Sequence, residues 1–288
     1  MTATRREVIA AFALLGMPRL AMSQNAVLPL DTPGLDHLDV IVPDVEKSAR
    51  FYMGLFNTTL HAQPFQGGQR YFVLLGPLND KREVGYIAIG DARGRGTYIG
   101  HFCTSVANWR RDSEAIFAQM TAQFRAAGLG EFPGSTGVGG IFADPDGIEI
   151  QFLPAPDTLV TAAVPSELVP WQQGLVTPLR VDHCVLRVSD LERALAYYRI
   201  LYGNEASSDV ARATFAFANG SRLLLEQSEY AYGSAQSGIV RYGIRVQAFD
   251  RDAVAGALPT LGGSVIETND GSFRVRDADG IELDLVSD

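Results

Sequence analysis

Apolar and polar positions alternate and then run apolar across residues 35–42, which predicts a half-buried strand ending at Pro43. Asp44 follows as a helix N-cap, and Val45, Ala49, Tyr52 and Phe56 recur at helical spacing, predicting a helix from Val45 to Phe56. Strands are expected at Tyr71–Leu75, Val84–Ile89 and Tyr98–Val106, and an amphipathic helix at Asp112–Ala127 that stops at Gly128. A glycine-rich loop, Gly134–Gly140, leads to a strand at Gly140–Ala143, a tight Asp144–Gly147 turn and a strand at Ile148–Leu153. Residues 154–179 hold five prolines and no periodicity, and read as a linker.

The same order then returns. Strands are expected at 181–188, 213–217, 221–226, 239–246, 272–276 and 281–286, and helices at 190–202 and 250–261. The repetition is visible in the residues themselves. Leu35-Asp-His-Leu-Asp-Val-Ile-Val42, followed by Pro-Asp-Val-Glu and Phe51-Tyr52, matches Val181-Asp-His-Cys-Val-Leu-Arg-Val188, followed by Ser-Asp-Leu-Glu and Tyr197-Tyr198. Asp144-Pro-Asp-Gly-Ile-Glu149 matches Asp277-Ala-Asp-Gly-Ile-Glu282, with Gly147 and Gly280 placed for the positive φ such turns favour. The offset is 146 residues at the histidines His37 and His183 and 133 at the turns, so the second copy carries an internal deletion. Each unit reads as two successive strand-helix-strand halves, four strands flanked by helices. One sheet face is covered and the other is free to line a cavity.

Composition changes this picture little. The chain has 288 residues, 47% hydrophobic and 20% charged, an ordinary globular balance. A net charge of −9 without basic clusters argues against a nucleic-acid partner, and no apolar run approaches a membrane span. Residues 1–26 stand apart: Arg5-Arg6, a short apolar run from Ala10 to Leu15 and small residues near Ala26 are similar to a twin-arginine export signal. That predicts a periplasmic or secreted protein of net charge about −11 after cleavage; if residues 1–26 are instead a helix packed on the domain, the protein stays cytoplasmic. The two cysteines, Cys103 and Cys184, are expected as free thiols on opposite sheet faces.

Candidate chemistry centres on the scarce histidines. His37 and His183 occupy the same place in the two copies, and His101 lies on a later strand of the first. Histidine is the commonest metal ligand. His61 follows the first helix and reads as a surface residue. Tyr71, Tyr86 and Tyr98 are strand tyrosines that either pack or face a cavity.

The strand His with its Pro/Ser-Asp-hydrophobic-Glu continuation, and the terminal Asp-x-Asp-Gly-Ile-Glu strand, resemble the vicinal oxygen chelate superfamily of glyoxalases, bleomycin-resistance proteins and extradiol dioxygenases. The resemblance covers residues 35–153 and 180–286. It implies an α+β fold of two βαβββ-type modules forming half-open barrels, the first at 34–153 and the second at 180–288. It implies a divalent metal, with Fe(II) or Mn(II) favoured and Zn(II) an option, and a small oxygenated organic substrate. Carried onto the first module, the ligand positions are His37, His101 and Gln151, with Glu149 as alternate third ligand. In the second module they are His183, Arg241 and Asp284. Two departures stand out: Gln151 replaces the usual carboxylate, and Arg241 puts a cation where a second histidine would be.

The resemblance leaves three functions open: a dioxygenase, preferred for its two-histidine pattern; a glyoxalase- or epimerase-type lyase or isomerase; and a metal-free binding protein of the resistance type. It also leaves open a site shared by both modules, built from His37, Gln151, His183 and Asp284.

Overall fold

The computed structural model describes residues 27–65, 68–76, 85–131, 134–136, 139–154, 168, 174–228, 238–268 and 273–287. The export-signal reading and most of the linker fall outside them. The first unit runs β1 (Gly34–Val42), α1 (Val45–Leu55), β2 (Leu60–Phe65), β3 (Gly68–Leu75), β4 (Gly85–Asp91), β5 (Tyr98–Ser105), α2 (Trp109–Ala126), β6 (Gly140–Ala143) and β7 (Glu149–Leu153). The second runs β8 (Pro178–Val188), α3 (Leu191–Tyr202), β9 (Ser207–Ser208), β10 (Arg212–Ala216), β11 (Arg222–Gln227), β12 (Gly238–Val246), α4 (Arg251–Leu261), β13 (Ser264–Thr268), β14 (Phe273–Arg276) and β15 (Glu282–Val286).

Each unit forms one mixed sheet, ordered β2-β3-β4-β1-β5-β7-β6 in the first and β13-β14-β15-β12-β8-β11-β10-β9 in the second. The topology is the same in both. An antiparallel central pair, β1/β5 or β8/β12, is flanked by parallel partners: β4 and β7 in the first unit, β11 and β15 in the second. Each half is strand-helix-strand-strand-strand, except the second half of the first unit, where only β6 and β7 follow α2 among the described residues, and the sheets are curled rather than closed.

Three strands, β2, β9 and β13, were not expected from the pattern. β2 alternates only over Leu60–Gln63 before Pro64 interrupts it, β9 is a pair of exposed serines, and all five residues of β13 are exposed, so none carries an alternation long enough to read. His61 consequently sits half-buried on β2 opposite Phe72, not on the surface. Helix α2 starts three residues earlier than expected, because Asn108 takes a left-handed conformation (φ 58) and turns Trp109 into the core at 0% exposure.

Asp44 and Asp190 cap α1 and α3 in the same way, each carboxylate accepting from the backbone N–H three residues on. The covered sheet faces, with Leu38, Val40 and Val42 of β1 and Phe102 of β5, join the helices in one apolar cluster that runs through both units. A fully buried Leu or Phe contributes about 1.5–3 kcal/mol here. No helix among the described residues is long and apolar enough to cross a membrane.

The units interlock through the repeated motifs. Tyr52 of α1 donates to Asp277 (2.7 Å) in the second unit's turn and meets Tyr242 (2.7 Å). Reciprocally, Tyr198 of α3 donates to Asp144 (2.9 Å) in the first unit's turn. Asp144 also accepts from the Asp146 and Ile148 N–H groups, closing the turn that Gly147 completes at φ 79. Ser48 Oγ donates to Asp279 (2.5 Å) and Ser189 N–H to Asp146 (3.1 Å), so the equivalent turn aspartates are both bonded across the units, though from different places.

Burial pushes the Asp144 carboxyl up to about 6 despite its three donors, and burial also raises Asp277. A carboxyl raised above its unfolded value contributes stability below the unfolded pKa, and loses it as pH rises through the folded one. The fold should therefore lose on the order of 3 kcal/mol at Asp144 between pH 4 and pH 7, with Asp277 adding in the same direction. Urea unfolding at pH 4.5 and 7.5 checks this. Tyr198→Phe, which deprives the carboxylate of a donor, should cost about 1–3 kcal/mol at pH 7.5.

Candidate functional site

The free face of the first sheet carries the candidate ligands. On β1, a register shift between Leu35 and Leu38 accommodates Asp36 and His37 against β5. On β5, His101 and Cys103 pair with Glu149 and Gln151 of β7, which puts all four side chains on one face. The structure brings His37 and His101 together, with their Nε2 atoms 3.3 Å apart. Gln151 hydrogen-bonds His101. Glu149 faces the same cavity but is exposed.

Each histidine is backed by a carboxylate on its other nitrogen. His37 Nδ1 donates to Asp36 Oδ1 at 2.8 Å, and His101 Nδ1 lies 3.4 Å from Asp39 Oδ2. Asp36 is held in turn by Ser105 Oγ (2.9 Å), and Asp39 by an ion pair with Arg70. The His37 ring stacks on Tyr86, its register partner on β4, with centroids 4.2 Å apart and planes at 14°. Carboxylates beside both Nδ1 atoms leave the two Nε2 atoms facing one another.

Burial, with His37 and Arg70 alongside, holds the His101 imidazole well below its ordinary pKa, so it is neutral. Burial likewise raises Asp39 against the pull of Arg70. A cavity of about 370 Å³ opens over His101, Glu149 and Gln151, walled by Asp39, Ile41, Phe65, Arg70 and Tyr98. A crevice of about 470 Å³ between the units shares Arg95, Tyr98, Gly100 and Glu149 with it.

Asp36, Asp39 and Arg70 were not among the expected site residues. Asp36 had a signal: an Asp precedes the histidine in both copies of the motif. Arg70 had none, since it reaches the site from β3, two strands away. Of the three tyrosines, Tyr71 is core, Tyr86 packs on His37, and Tyr98 lines the cavity. Neither cysteine forms a disulfide among the described residues, and both are buried. Cys184 faces the core, whereas Cys103 lies beside Asp36 and His37, with potential ligand atoms of the three within 4.8 Å.

The second unit places Arg241 and Asp284 where His101 and Gln151 stand, since Gly243 pairs with Asp284 as Cys103 pairs with Gln151. Here the positions form a closed ionic network. His183 Nδ1 donates to Asp182 (2.9 Å) and its Nε2 to Asp284 (3.2 Å). Asp284 also accepts from Arg274 (2.8 Å), Asp182 from Arg222 (2.6 Å) and Arg245, and Arg241 pairs with Glu226 (3.1 Å).

Burial opposes charge on His183, but the two aspartates outweigh it and raise its pKa. The ring lies over Gly243, where a Cβ would come within 2.2 Å of it. No hydrogen bond among the described residues joins His37 or Gln151 to His183 or Asp284; each set is satisfied within its own unit.

Comparison with known proteins places this geometry. No curated protein matches the sequence significantly. Among solved structures, the 2,3-dioxygenase LapB from Pseudomonas sp. KL28 superposes with a TM-score of 0.61 at 12% identity, over 89% of this chain and 92% of that one. The Mn(II)-bound glyoxalase from Novosphingobium aromaticivorans gives 0.61 at 13% identity, over 89% and 82%. Homoprotocatechuate 2,3-dioxygenase from Brevibacterium fuscum, in complex with 3,4-dihydroxyphenylacetate, gives 0.62 at 12%, over 90% and 81%. At such identities the likeness shows the fold. The family model matches twice, over residues 34–152 and 180–285, and the chain therefore belongs to the glyoxalase/bleomycin resistance protein/dioxygenase superfamily.

Proposed function

We propose that the protein is a metal-dependent vicinal-oxygen-chelate enzyme acting on a small oxygenated organic substrate in the first unit, dioxygenase-like by preference. The observation that carries the reading is the pair of opposed Nε2 atoms 3.3 Å apart, each ring held by a carboxylate at Nδ1. Two Nε2 atoms at that spacing either share a proton or take a cation between them. Ligands about 2.1 Å from one metal stand roughly 3 Å from each other, so the spacing fits. His37, His101 and Gln151 would hold the metal, with Glu149 as alternate to Gln151, and Fe(II) or Mn(II) suits two imidazoles and an oxygen with positions left open. Bound there, the metal would polarise and orient two adjacent substrate oxygens.

The remaining tasks fall to the chain. Asp36 and Asp39 back the imidazoles at Nδ1, Tyr86 blocks rotation of His37, and Ile41, Phe65 and Ile141 give the cavity an apolar wall. One observation favours a lyase or isomerase: neutral Gln151 in place of a carboxylate leaves more charge on the metal for polarising a carbonyl. A metal-free binding role is favoured by the existing hydrogen bonds of His37 and His101, which leave neither ring without a partner. The Arg5-Arg6 segment supports action outside the cytoplasm.

The deciding experiment loads the protein anaerobically with Fe(II) or Mn(II), removes excess metal, and measures bound metal and O₂ uptake with catechols and enols. About one metal per chain with substrate-dependent O₂ uptake is the expected result. Bound metal without O₂ uptake would move the reading to the lyase or isomerase. Failure to retain metal would overturn the enzyme reading in favour of ligand binding.

A further inference from the structure

Arg70 lines the cavity, and its guanidinium is held on several sides. A terminal nitrogen pairs with Asp39. The guanidinium lies over Phe65 (5.5 Å to the ring centroid) and Phe72 (5.9 Å). Its Nε, by contrast, is buried and has no hydrogen-bond partner among the described residues. Buried guanidinium donors are ordinarily paired, so an orphan on the wall of a cavity calls for an acceptor from outside the protein. The side chain is only 20% exposed and already fixed, so an anion binding there would find its partner preorganised.

We infer that Arg70 sets the substrate class: the substrate is an acid, and a carboxylate oxygen accepts from the Arg70 guanidinium beside the histidine pair. This rests on the metal-chelate reading of the same cavity for the other end of the substrate. The apolar Phe65 and Ile141 lining it suit a planar or unsaturated body between the two ends.

Matched probes test it. Under anaerobic conditions, 2,3- and 3,4-dihydroxybenzoate are each titrated against the corresponding neutral amide into Mn(II)-loaded protein, by calorimetry. At least one acid should bind roughly ten- to a hundredfold more tightly than its amide, the range of a charge-assisted hydrogen bond. Arg70→Gln should abolish that preference with bound metal unchanged. Arg70→Lys, which keeps a cation beside Asp39, should give an intermediate value. Equal binding of both acids and amides by the wild type, or a preference that survives Arg70→Gln, would overturn the inference; so would loss of metal in Arg70→Gln, which would make Arg70 a support of the histidines instead. If no metal is retained, benzoate and benzamide are compared by saturation-transfer NMR. Arg70-dependent contact with benzoate alone then upholds the acid specificity while the metal reading falls, and no benzoate contact removes both.

Discussion

His101→Ala and His37→Ala should each weaken metal retention by at least about a hundredfold, while His183→Ala leaves metal content unchanged. Outer carboxylates that orient a ligating histidine are worth roughly 10–100-fold in metal affinity, and a direct ligand is worth more. Asp36→Asn then serves as a graded intermediate, because Asp36 backs His37 at Nδ1. The contrast with His183 is the sharper half of the expectation. Both histidines follow an aspartate and donate to it, yet His183 turns its Nε2 to Asp284, a carboxylate braced by Arg274. Elemental analysis of the four proteins after equal loading decides it. Equal losses in His37→Ala and His183→Ala would favour a site shared between the units.

Asp182→Ala should destabilise the second unit by about 3 kcal/mol, lowering its melting temperature by roughly 10 °C. Asp182 is fully buried and accepts from His183, Arg222 and Arg245. Burial alone would raise its pKa, but those donors hold it far below the ordinary carboxylate range. Removing it leaves several cations without their counter-charge, a loss of 3–5 kcal/mol when all are desolvated. Arg222 is 43% exposed and water screens it, which places the expectation at the low end. Calorimetry on Asp182→Ala and Asp182→Asn checks this. A change below about 1 kcal/mol in both would mean that the network contributes little.

The repeat carried most of the fold in readable form. Strands β1 and β8, the capped helices α1 and α3 and the two Asp-x-Asp-Gly turns are all specified by short-range residue choices, and those residues recur in order. What the sequence could not convey lies across strands. The approach of His101 to His37 follows from the β1/β5 pairing with its register shift, and Arg70 arrives from a third strand through packing that leaves no periodic trace. The resemblance named positions to inspect. Only geometry revealed that Arg241 and Asp284 belong to a salt-linked network and that Asp36 and Asp39 back the histidines of the other unit. Strand β13, exposed along its whole length, had no pattern to announce it.

The reciprocal tyrosine–aspartate bonds bear on how such a chain can change over time. Tyr52 and Asp277, like Tyr198 and Asp144, are indifferent to what occupies the cavity positions. In an assembly of two identical subunits, replacing a ligand histidine by arginine would disable both cavities at once. Joined in one polypeptide, the copies mutate separately while the latch keeps them together. Covalent fusion thus permits an asymmetry that strict two-fold symmetry forbids, with one half free to abandon chemistry and persist as the scaffold for the other.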